Sequence, residues 1–436
     1  MLVKRKKSAI MFRISLPAAL LFVLLNTFAA LGQEEVNFNQ HIAPIIHTNC
    51  TPCHRPGEVG PFSLITYEDV AKRSKFIRHV TQTRYMPPWF ADPNFQHYQN
   101  ERLLTQQEID LIARWVDAGV PEGKKRHRPD PPVFQQNSQM HIEPDLVLQM
   151  GEPFNIPGNG TEEFRYFSIP TNLEEDVYLK AIEFRPDNRQ YVHHSRIMLD
   201  TTNLIRGIDG MSELDPRVNE FYKVPLADEF LYGWVPGNLP YIYPAATGKL
   251  LKKNTDLILN IHYAQSGVET TDQSTIKLYF SKEPVEREVQ TFILRENNIT
   301  NQPFYLPAGE TPKFYMRSAP LEKPIEVISV LPHMHTLGKS FRAFAITPDG
   351  DLVPLVKIDD WDFNWQSTYV FEEMLYIPEG SVIYAEATYD NTANNPENPF
   401  YPPQDITYGW NTTSEMMNFI MYYVDAQTEK SVVKNR

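Results

Sequence analysis

The chain has 436 residues, 42% of them hydrophobic, and a formal net charge of -13 at pH 7. That length exceeds what one hydrophobic core supports and predicts two or three domains, while the acidic balance argues against nucleic acid as a partner. The 36 prolines, 25 phenylalanines and 22 tyrosines favour many short strands joined by turns over long helices.

The first 32 residues have the pattern of a secretory signal peptide. Basic residues from Lys4 to Arg13 precede an apolar run over residues 16–25, and Ala30-Leu31-Gly32 follows it. Because this run is shorter than the roughly 20 residues that cross a bilayer, an uncleaved anchor is the weaker alternative. We therefore expect cleavage before Gln33, a periplasmic or secreted mature protein, and no stable membrane span after cleavage.

Both cysteines fall in the motif Cys50-Thr51-Pro52-Cys53-His54, which is the C-x-x-C-H pattern of haem c attachment. Two thiols at this spacing can each form a thioether to one edge of a porphyrin, and the adjacent His54 can bind the iron. A redox dithiol is the alternative, but thioredoxin-like motifs lack the following histidine and need a βαβ setting. The sequence therefore predicts covalently bound haem c and leaves no cysteine for a disulfide.

Residues 33–123 are predicted to form a small all-α, cytochrome c-like domain around this motif. Apolar residues recur at helical spacing over residues 38–47 and 66–82. Thr105 with Glu108 three residues later forms a capping box that opens a third helix. A haem would supply much of the apolar core that so short a segment cannot build alone.

The loop Tyr85-Met86-Pro87-Pro88-Trp89 offers a sixth ligand for the haem iron. Its prolines stiffen the backbone around a thioether sulfur, and methionine ligation raises the reduction potential. We assign Met86 as this distal ligand. A core-filling methionine is the alternative reading, and His79 and His97 are the rival ligands, which would give a haem of lower potential.

Residues 124–143 are basic and then rich in proline and glutamine without apolar periodicity, which predicts a linker. Beyond it, short apolar runs separated by turn residues predict two all-β, jelly-roll-like sandwich domains over residues 144–285 and 286–436. The predicted strands cover residues 166–170, 177–184, 257–263, 276–280, 325–330, 341–346 and 419–424.

Five histidines of the β region form three groups: His193-His194, His262, and His333-Met334-His335. Imidazole suits copper and zinc, and residues i and i+2 of a strand face the same side, so the H-x-H pair can converge on one ion. Adjacent histidines face opposite sides of a regular strand, so the H-H pair needs a bulge or a strand end. Histidines that only satisfy local hydrogen bonds are the alternative for each group taken alone.

The ordered motifs carry a resemblance to a known family. The succession of H-H, N-I-H-Y, H-M-H-T-L-G-K and S-E-M-M resembles the copper type II, ascorbate-dependent monooxygenases, over residues 144–425. Together with the N-terminal segment, the chain resembles a bacterial fusion of a small cytochrome c domain to that copper module. The resemblance implies two jelly-roll-like sandwiches that face each other across an open cleft and hold one copper each.

The resemblance also implies the ligands and their roles. It assigns an electron-transferring copper to His193, His194 and His262. It assigns an oxygen-binding, catalytic copper to His333, His335 and Met416. Three imidazoles suit both oxidation states of copper, whereas a soft sulfur favours Cu(I), and this chemistry agrees with the two roles.

Some positions depart from the family pattern or have another reading. Leu331 and Ile420 replace an arginine and a tyrosine of peptide-amidating members, which makes peptide amidation an unexpected activity. Met416 could instead be a core methionine. The acidic and aromatic run over residues 359–365 is a candidate for the cleft wall, but a solvated sandwich turn is the favoured reading, and the run is left outside the site.

The expected activity is hydroxylation of a C–H bond with dioxygen, on a small-molecule or peptide-like organic substrate. The haem domain, fed by a periplasmic donor, would replace or supplement ascorbate as the source of electrons. Two other functions stay open: a haem and copper protein that transfers electrons or reduces oxygen without hydroxylating a substrate, and a binding module with a degenerate copper site.

Overall fold

The computed structural model describes residues 35–134, 140, 142–218, 230–409 and 412–427. Over these residues the protein is mostly β-structure with a few short helices, consistent with β-sandwich domains. The predicted signal peptide lies outside them. Within the described ranges, every helix is too short or too polar to cross a membrane.

The helices concentrate in the N-terminal part of the chain. A π-helical turn, Phe38–Ile42, runs directly into the first α-helix. The α-helices are α1 Ala43–Asn49, α2 Tyr67–Lys72, α3 Ser74–Gln82 and α4 Gln106–Asp117. Short 3₁₀ turns cover Lys125–His127, Leu204–Ile208, Glu296–Asn298 and Phe363–Trp365.

The helix starts and stops follow local chemistry. At α4 the predicted capping box is confirmed: the Glu108 N–H donates to Thr105 Oγ1 over 3.2 Å and the Thr105 N–H donates to Glu108 Oε2 over 2.8 Å. The stretch predicted over residues 66–82 is two helices, because Arg73 leaves the helical conformation at ψ 10°. The single-helix prediction was wrong there.

Twenty-three strands follow in the part of the chain that the structure describes. The first thirteen are β1 Leu146–Gln149, β2 Phe154–Ile156, β3 Glu163–Pro170, β4 Val177–Arg185, β5 Val192–Asp200, β6 Met211–Ser212, β7 Phe230–Trp234, β8 Tyr241–Ile242, β9 Thr247–Leu251, β10 Asp256–Tyr263, β11 Thr270–Asp272, β12 Thr275–Phe280 and β13 Arg287–Glu288. The others are β14 Gln290–Leu294, β15 Tyr305–Leu306, β16 Lys313–Arg317, β17 Ile325–His333, β18 Gly338–Ile346, β19 Leu352–Ile358, β20 Tyr369–Ile377, β21 Val382–Tyr389, β22 Ile406–Thr407 and β23 Asn418–Asp425.

The strands pair into two sets of sheets. The first sandwich contains the sheet β1-β12-β4-β9-β13, with β8 beside β4, and the sheet β6-β3-β10-β5-β7. The second sandwich contains the sheets β14-β23-β17-β20 and β16-β21-β18-β19. The pairs β2-β11 and β15-β22 stand apart. Each sandwich has its own apolar core, since side chains from both of its sheets pack together.

All seven predicted strands are confirmed, within a few residues at their ends. Strand β5 was missed, although it carries His193 and His194. Its polar residues Ser195 and Arg196 interrupt the apolar alternation, so its sequence alone does not look like a strand.

The two sandwiches pack against each other through the sheet that contains β17 and β23. Ile328, Leu331 and Ile420 lie in the core of the first sandwich, although their strands belong to the second. The Tyr241 hydroxyl also lies 2.7 Å from the Ser329 hydroxyl across this interface. The resemblance implied an open cleft; the structure shows a packed interface with cavities at its margin.

The N-terminal helices form a third, smaller core that includes Ile42, Ile112 and Trp115. The predicted domain 33–123 is not one packing unit, however. Its segment 89–101 lies on the second sandwich, where Ala91 and Tyr98 form bridges with β19 and β20.

Tyr98 is the centre of this contact. Its ring is 2% exposed, its hydroxyl donates to the Leu355 carbonyl over 2.7 Å, and Trp89, Tyr369 and Phe371 surround it with ring centroids 5.1–5.9 Å away. The helical unit is therefore docked on the second sandwich through an aromatic cluster.

We predict that Tyr98→Ala lowers the free energy of the unfolding transition that includes the second sandwich by about 3–5 kcal/mol, the usual cost of truncating a buried aromatic ring. Urea denaturation followed by fluorescence would measure this. Tyr85→Ala is the control, because Tyr85 is 58% exposed and its loss should change stability by no more than about 0.5 kcal/mol. Equal effects of the two substitutions would contradict the docking.

Candidate metal centres

A β-bulge brings three histidines together in the first sandwich. His262 on β10 pairs with His194 on β5, and the next residue, Tyr263, pairs with Val192. His193 is therefore the extra residue of a bulge, as the sequence required for the H-H pair to face one way. Ligand atoms of His193, His194 and His262 all lie within 4.8 Å of one another.

The hydrogen bonds of this cluster leave lone pairs directed at its centre. His262 Nε2 lies 3.2 Å from Glu162 Oε2, so this nitrogen carries the proton and donates. Its other nitrogen, Nδ1, is buried and has no hydrogen-bond partner among the described residues. The Nδ1 atoms of His193 and His194 lie 3.3 Å apart. A buried nitrogen without a partner beside two others fits a metal ion.

The electrostatics also favour ligation. Burial, and then the neighbouring His262, lower the pKa of His193 to about 4, and burial lowers the pKa of His194 well below its ordinary value. The hydrogen bond to His262 lowers the pKa of the Glu162 carboxyl. At neutral pH the imidazoles of His193 and His194 are therefore neutral, which is the form that binds a metal.

The second histidine group lies where β17 ends. His333 is the last residue of that strand and His335 lies just beyond it, with ring centroids 5.2 Å apart and planes at 80°. His333 Nδ1 donates to the Gln366 side-chain carbonyl, and Nε2 is buried without a partner among the described residues. His335 Nδ1 donates to the Ser414 carbonyl over 2.9 Å, the tautomer that puts a lone pair on Nε2.

One buried carboxylate ties His335 to Met416. Glu415 Oε2 accepts from the backbone N–H groups of His335 and Met416, and Oε1 accepts from that of Leu337, at 2.8–3.0 Å. Burial raises the pKa of Glu415 to about 8, and these three donors oppose that shift. The Glu415 side chain thus holds the H-x-H loop against the chain segment that carries the thioether.

The Met416 sulfur is fully buried and accepts a 3.3 Å hydrogen bond from Asn418 Nδ2. Asn418 pairs directly with His333 across β17 and β23. The structure therefore places the thioether beside the strand partner of His333. That position agrees with the predicted ligand set, which stays a prediction.

The two histidine groups share a cavity, here called the histidine cavity, that His194 and His333 both line. Phe363 lies between the groups, with its ring centroid 5.7 Å from that of His194 and 6.1 Å from that of His335. The sequence pattern favours a solvated turn, outside the site, for the run 359–365. The structure shows that its Phe363 borders both groups.

Most of the other residues that line the histidine cavity are apolar, among them Phe230, Leu331 and Ile420. Two cationic side chains, Arg196 and Arg295, also line it. Arg196 donates two hydrogen bonds to the Asn260 side chain, at 2.8 and 3.0 Å. The cavity therefore offers an apolar wall with a local positive charge.

The C-x-x-C-H motif lies against the first sandwich. His54 Nδ1 lies 3.3 Å from the Phe62 carbonyl, so it donates and leaves the lone pair on Nε2. Cys50 and Cys53 form no disulfide. Burial, the largest cause, raises the pKa of both thiols, that of Cys50 to about 12. A reactive dithiol needs a lowered thiol pKa, so this environment argues against the redox-dithiol alternative.

The candidate distal ligands differ in their surroundings. Met86 is half-buried after α3, where its backbone N–H donates to the Val80 carbonyl over 3.1 Å. His79 and His97 are exposed, and His97 Nδ1 lies 3.0 Å from Glu101 Oε1.

The sequence pattern did not indicate three residues that contact these ligand groups: Glu162, Gln366 and Glu415. Only Glu415 had a local signal, since it stands beside Met416 in the S-E-M-M motif. The others meet the histidines through long-range packing, which a pattern along the chain does not encode.

Comparison with known proteins agrees with this geometry. Residues 314–435 match the family model described as "Copper type II ascorbate-dependent monooxygenase, C-terminal domain". That range includes His333, His335 and Met416. The second sandwich is therefore similar in sequence to that domain.

Similarity to curated proteins extends toward the N-terminus. The chain is 26% identical over 359 residues to "DBH-like monooxygenase protein 1" of Homo sapiens, covering 74% of this chain and 56% of that protein. It is 25% identical over 298 residues to the Mus musculus protein of the same name, covering 62% and 45%. The chain thus spans about half the length of these relatives.

Similarity to solved structures is weak. The major capsid protein P2 of bacteriophage PM2 gives a TM-score of 0.24 at 8% identity and covers 62% of this chain and 98% of that one. An allantoicase gives 0.14 at 10% identity and covers 55% and 81%. Scores this low support no argument about function.

Glu213, a buried carboxyl group of the first sandwich, generates a pH prediction. Its side chain is buried, and burial raises the pKa of its carboxyl from 4.5 to about 7, against the opposing effects of Arg196 and Thr412. A raised acid pKa means that the folded state holds the proton more tightly, so stability falls as pH rises from about 4.5 through 7.

We expect Glu213→Gln to stabilise metal-free protein by up to about 3 kcal/mol more at pH 8 than at pH 4, since each unit of pKa shift is worth about 1.4 kcal/mol. Guanidinium denaturation of both proteins at several pH values measures this. Glu152→Gln, at an exposed position of the same sandwich, should leave the pH profile unchanged. A Glu213→Gln effect of equal size at both pH values would rule out the titration.

Proposed function

We propose that the protein is an exported, copper-dependent monooxygenase that hydroxylates a C–H bond with dioxygen and receives electrons through haem c in the same chain. One observation carries the copper part of this proposal. Each histidine group contains a buried ring nitrogen with no hydrogen-bond partner among the described residues, His262 Nδ1 and His333 Nε2. Such nitrogens are costly in a metal-free core and favourable as metal ligands.

The first copper would be held by His193, His194 and His262. Their strands β5 and β10 are paired along their whole length, so the three rings are positioned by a rigid sheet. Glu162 orients His262 by accepting its Nε2 proton. A rigid set of three imidazoles suits electron transfer, because little rearrangement accompanies the change of oxidation state.

The second copper would be held by His333, His335 and Met416. Copper held by this mixed nitrogen and sulfur set would favour the reduced state and supply the chemistry of dioxygen binding. Gln366 and the Ser414 carbonyl orient the two rings. Glu415 fixes the backbone of both ligand segments, which is the role of outer-shell residues at metal sites.

The histidine cavity is the proposed substrate site. His333 lines it together with Leu331 and Ile420, so a substrate C–H group can approach the second copper over an apolar wall. Peptide amidation is not proposed, because Leu331 occupies the position at which amidating relatives place an arginine. A small-molecule or peptide-like organic substrate fits the cavity chemistry.

The haem would be attached through Cys50 and Cys53, with His54 as proximal and Met86 as distal ligand. The His54 tautomer and the half-buried position of Met86 support this assignment. Haem c supplies one-electron chemistry, fed by a periplasmic donor, while ascorbate is a second source of electrons. Export follows from the signal-peptide pattern and from the compartment in which haem c is attached.

The copper assignment predicts two coppers per chain in reconstituted protein. His262→Ala and His333→Ala should each lower the copper content by about one ion, because a three-ligand site loses most of its affinity with one ligand. Elemental analysis after dialysis measures this. His97→Ala is the control, since His97 is exposed and paired with Glu101. Fewer than two coppers in the unsubstituted protein would support a binding module instead.

The same preparations test hydroxylation. With labelled dioxygen and a periplasmic extract as the substrate pool, we expect one labelled oxygen atom in an organic product, lost in both site variants and kept in His97→Ala. Mass spectrometry of the extract identifies the product. Oxygen uptake that yields only peroxide or water would instead favour the oxygen-reducing alternative.

The haem assignment has its own test. Replacement of Cys50 and Cys53 by serine should abolish covalent haem, seen as loss of haem staining on a denaturing gel. Met86→Ala should remove the long-wavelength band of methionine-ligated ferric haem and lower its reduction potential, while His79→Ala leaves both unchanged. The reverse pattern would identify His79 as the distal ligand.

A further inference from the structure

Trp234, at the end of β7, separates two cavities. On one side it lines the histidine cavity, together with His194. On the other it lines a cavity that also contacts Pro52 and Arg55 of the C-x-x-C-H region, here called the arginine cavity because Arg55, Arg185 and Arg189 border it. The indole is 8% exposed and packs edge-on against Phe184, with ring centroids 5.2 Å apart.

The loop after Trp234 contacts the predicted haem attachment point directly. Gly237 has φ +83°, and a Cβ atom at this position would lie 2.8 Å from Cys53 Sγ. Only glycine permits so close an approach of backbone and sulfur. Arg102 holds the loop in place, since it donates to the Asn238 side chain over 2.7 Å and to the Pro236 carbonyl over 3.4 Å.

The other end of the same segment reaches the three-histidine cluster. Trp234 pairs across β7 and β5 with Ser195, the residue that follows His194. Two residues, Val235 and Pro236, therefore lie between Gly237, which contacts Cys53, and Trp234. One cross-strand step then leads to Ser195, and His194 is the residue before it. The whole route lies in packed protein: Trp234 and Val235 are buried.

We propose that the segment from Trp234 to Gly237 is the route by which an electron passes from haem c on Cys53 to the copper held by His193, His194 and His262. This inference rests on the proposed function. The step is a one-electron transfer in which ferrous haem becomes ferric and Cu(II) becomes Cu(I), and no atom or proton moves. Packed side chains carry an electron between the haem and the copper better than solvent does. The indole ring of Trp234 places polarisable atoms between the two cavities.

A second aromatic path offers a built-in comparison. Trp89 and Tyr98 pack on Tyr369, which pairs with Val330 on β17, three residues before His333. Tyr369 is 1% exposed, so Tyr369→Leu removes a buried aromatic ring that lies outside the segment from Trp234 to Gly237. It therefore serves as the matched control for Trp234→Leu.

The test uses the full chain loaded with haem and copper, without oxygen. After flash reduction of the haem, the ferrous absorbance decays as the electron reaches copper, and the Cu(II) EPR signal falls in parallel. We expect Trp234→Leu to slow this decay about tenfold or more, equivalent to about 1.4 kcal/mol in activation free energy. Trp234→Phe should slow it less, and Tyr369→Leu should keep the original rate.

Two further readouts exclude a merely structural effect. Trp234→Leu should keep the haem spectrum and the copper content, and ascorbate added directly should reduce its copper at the original rate. If Trp234→Leu loses copper, Gly237→Ala replaces it as the test variant, because the added methyl group displaces the loop from Cys53 and should slow the decay while Trp234 is intact.

The outcomes separate this inference from the proposed function. An unchanged decay in Trp234→Leu, or a slower decay in Tyr369→Leu alone, would overturn the route but leave the monooxygenase proposal intact. Absence of haem or copper in the unsubstituted protein, or haem that never loses its electron to copper there, would overturn the proposed electron supply itself, before any variant is compared.

Discussion

The pairing of β17 with β23 is the constraint on which the arrangement depends. One face of this pair, with Val330 and Phe419, packs in the core of the second sandwich, and the other, with Leu331 and Ile420, packs in the core of the first. Burial of each such side chain stabilises the folded state by about 1.5–3 kcal/mol. A register slip of one residue would turn these side chains to the wrong core and would separate His333 from Asn418. The packing that stabilises the fold therefore also positions the second candidate metal site.

The two histidine groups are held by different means. His193, His194 and His262 project from paired strands, and the bulge at His193 gives them a common direction. His335 lies beyond the end of its strand and depends on the hydrogen bonds that it donates to the Glu415 side chain and the Ser414 carbonyl. A site on a sheet resists rearrangement, whereas a site at strand ends can adapt its coordination. That difference parallels the proposed roles of electron transfer and oxygen binding.

The helical unit is fixed to both sandwiches rather than tethered by a flexible linker. Tyr98 packs on the second sandwich, and Arg102 and Cys53 contact the loop after β7 of the first. A tethered electron donor gains an effective concentration of about millimolar. A docked donor also has a fixed distance and orientation relative to its acceptor. For the proposed intramolecular electron donor, this docking would define a route, which a linker alone would not.

By itself the sequence determined what local chemistry encodes: the capping box at Thr105, the seven strands with clear apolar alternation, the C-x-x-C-H motif and the three histidine groups. Only the tertiary structure decided which residues meet. Glu162 reaches His262 from 100 positions away, Phe363 lies between the histidine groups, and the segment 89–101 leaves the helical unit to pack elsewhere. Periodicity specifies which face of a helix or strand a residue occupies. Long-range packing determines which residue it contacts across that face.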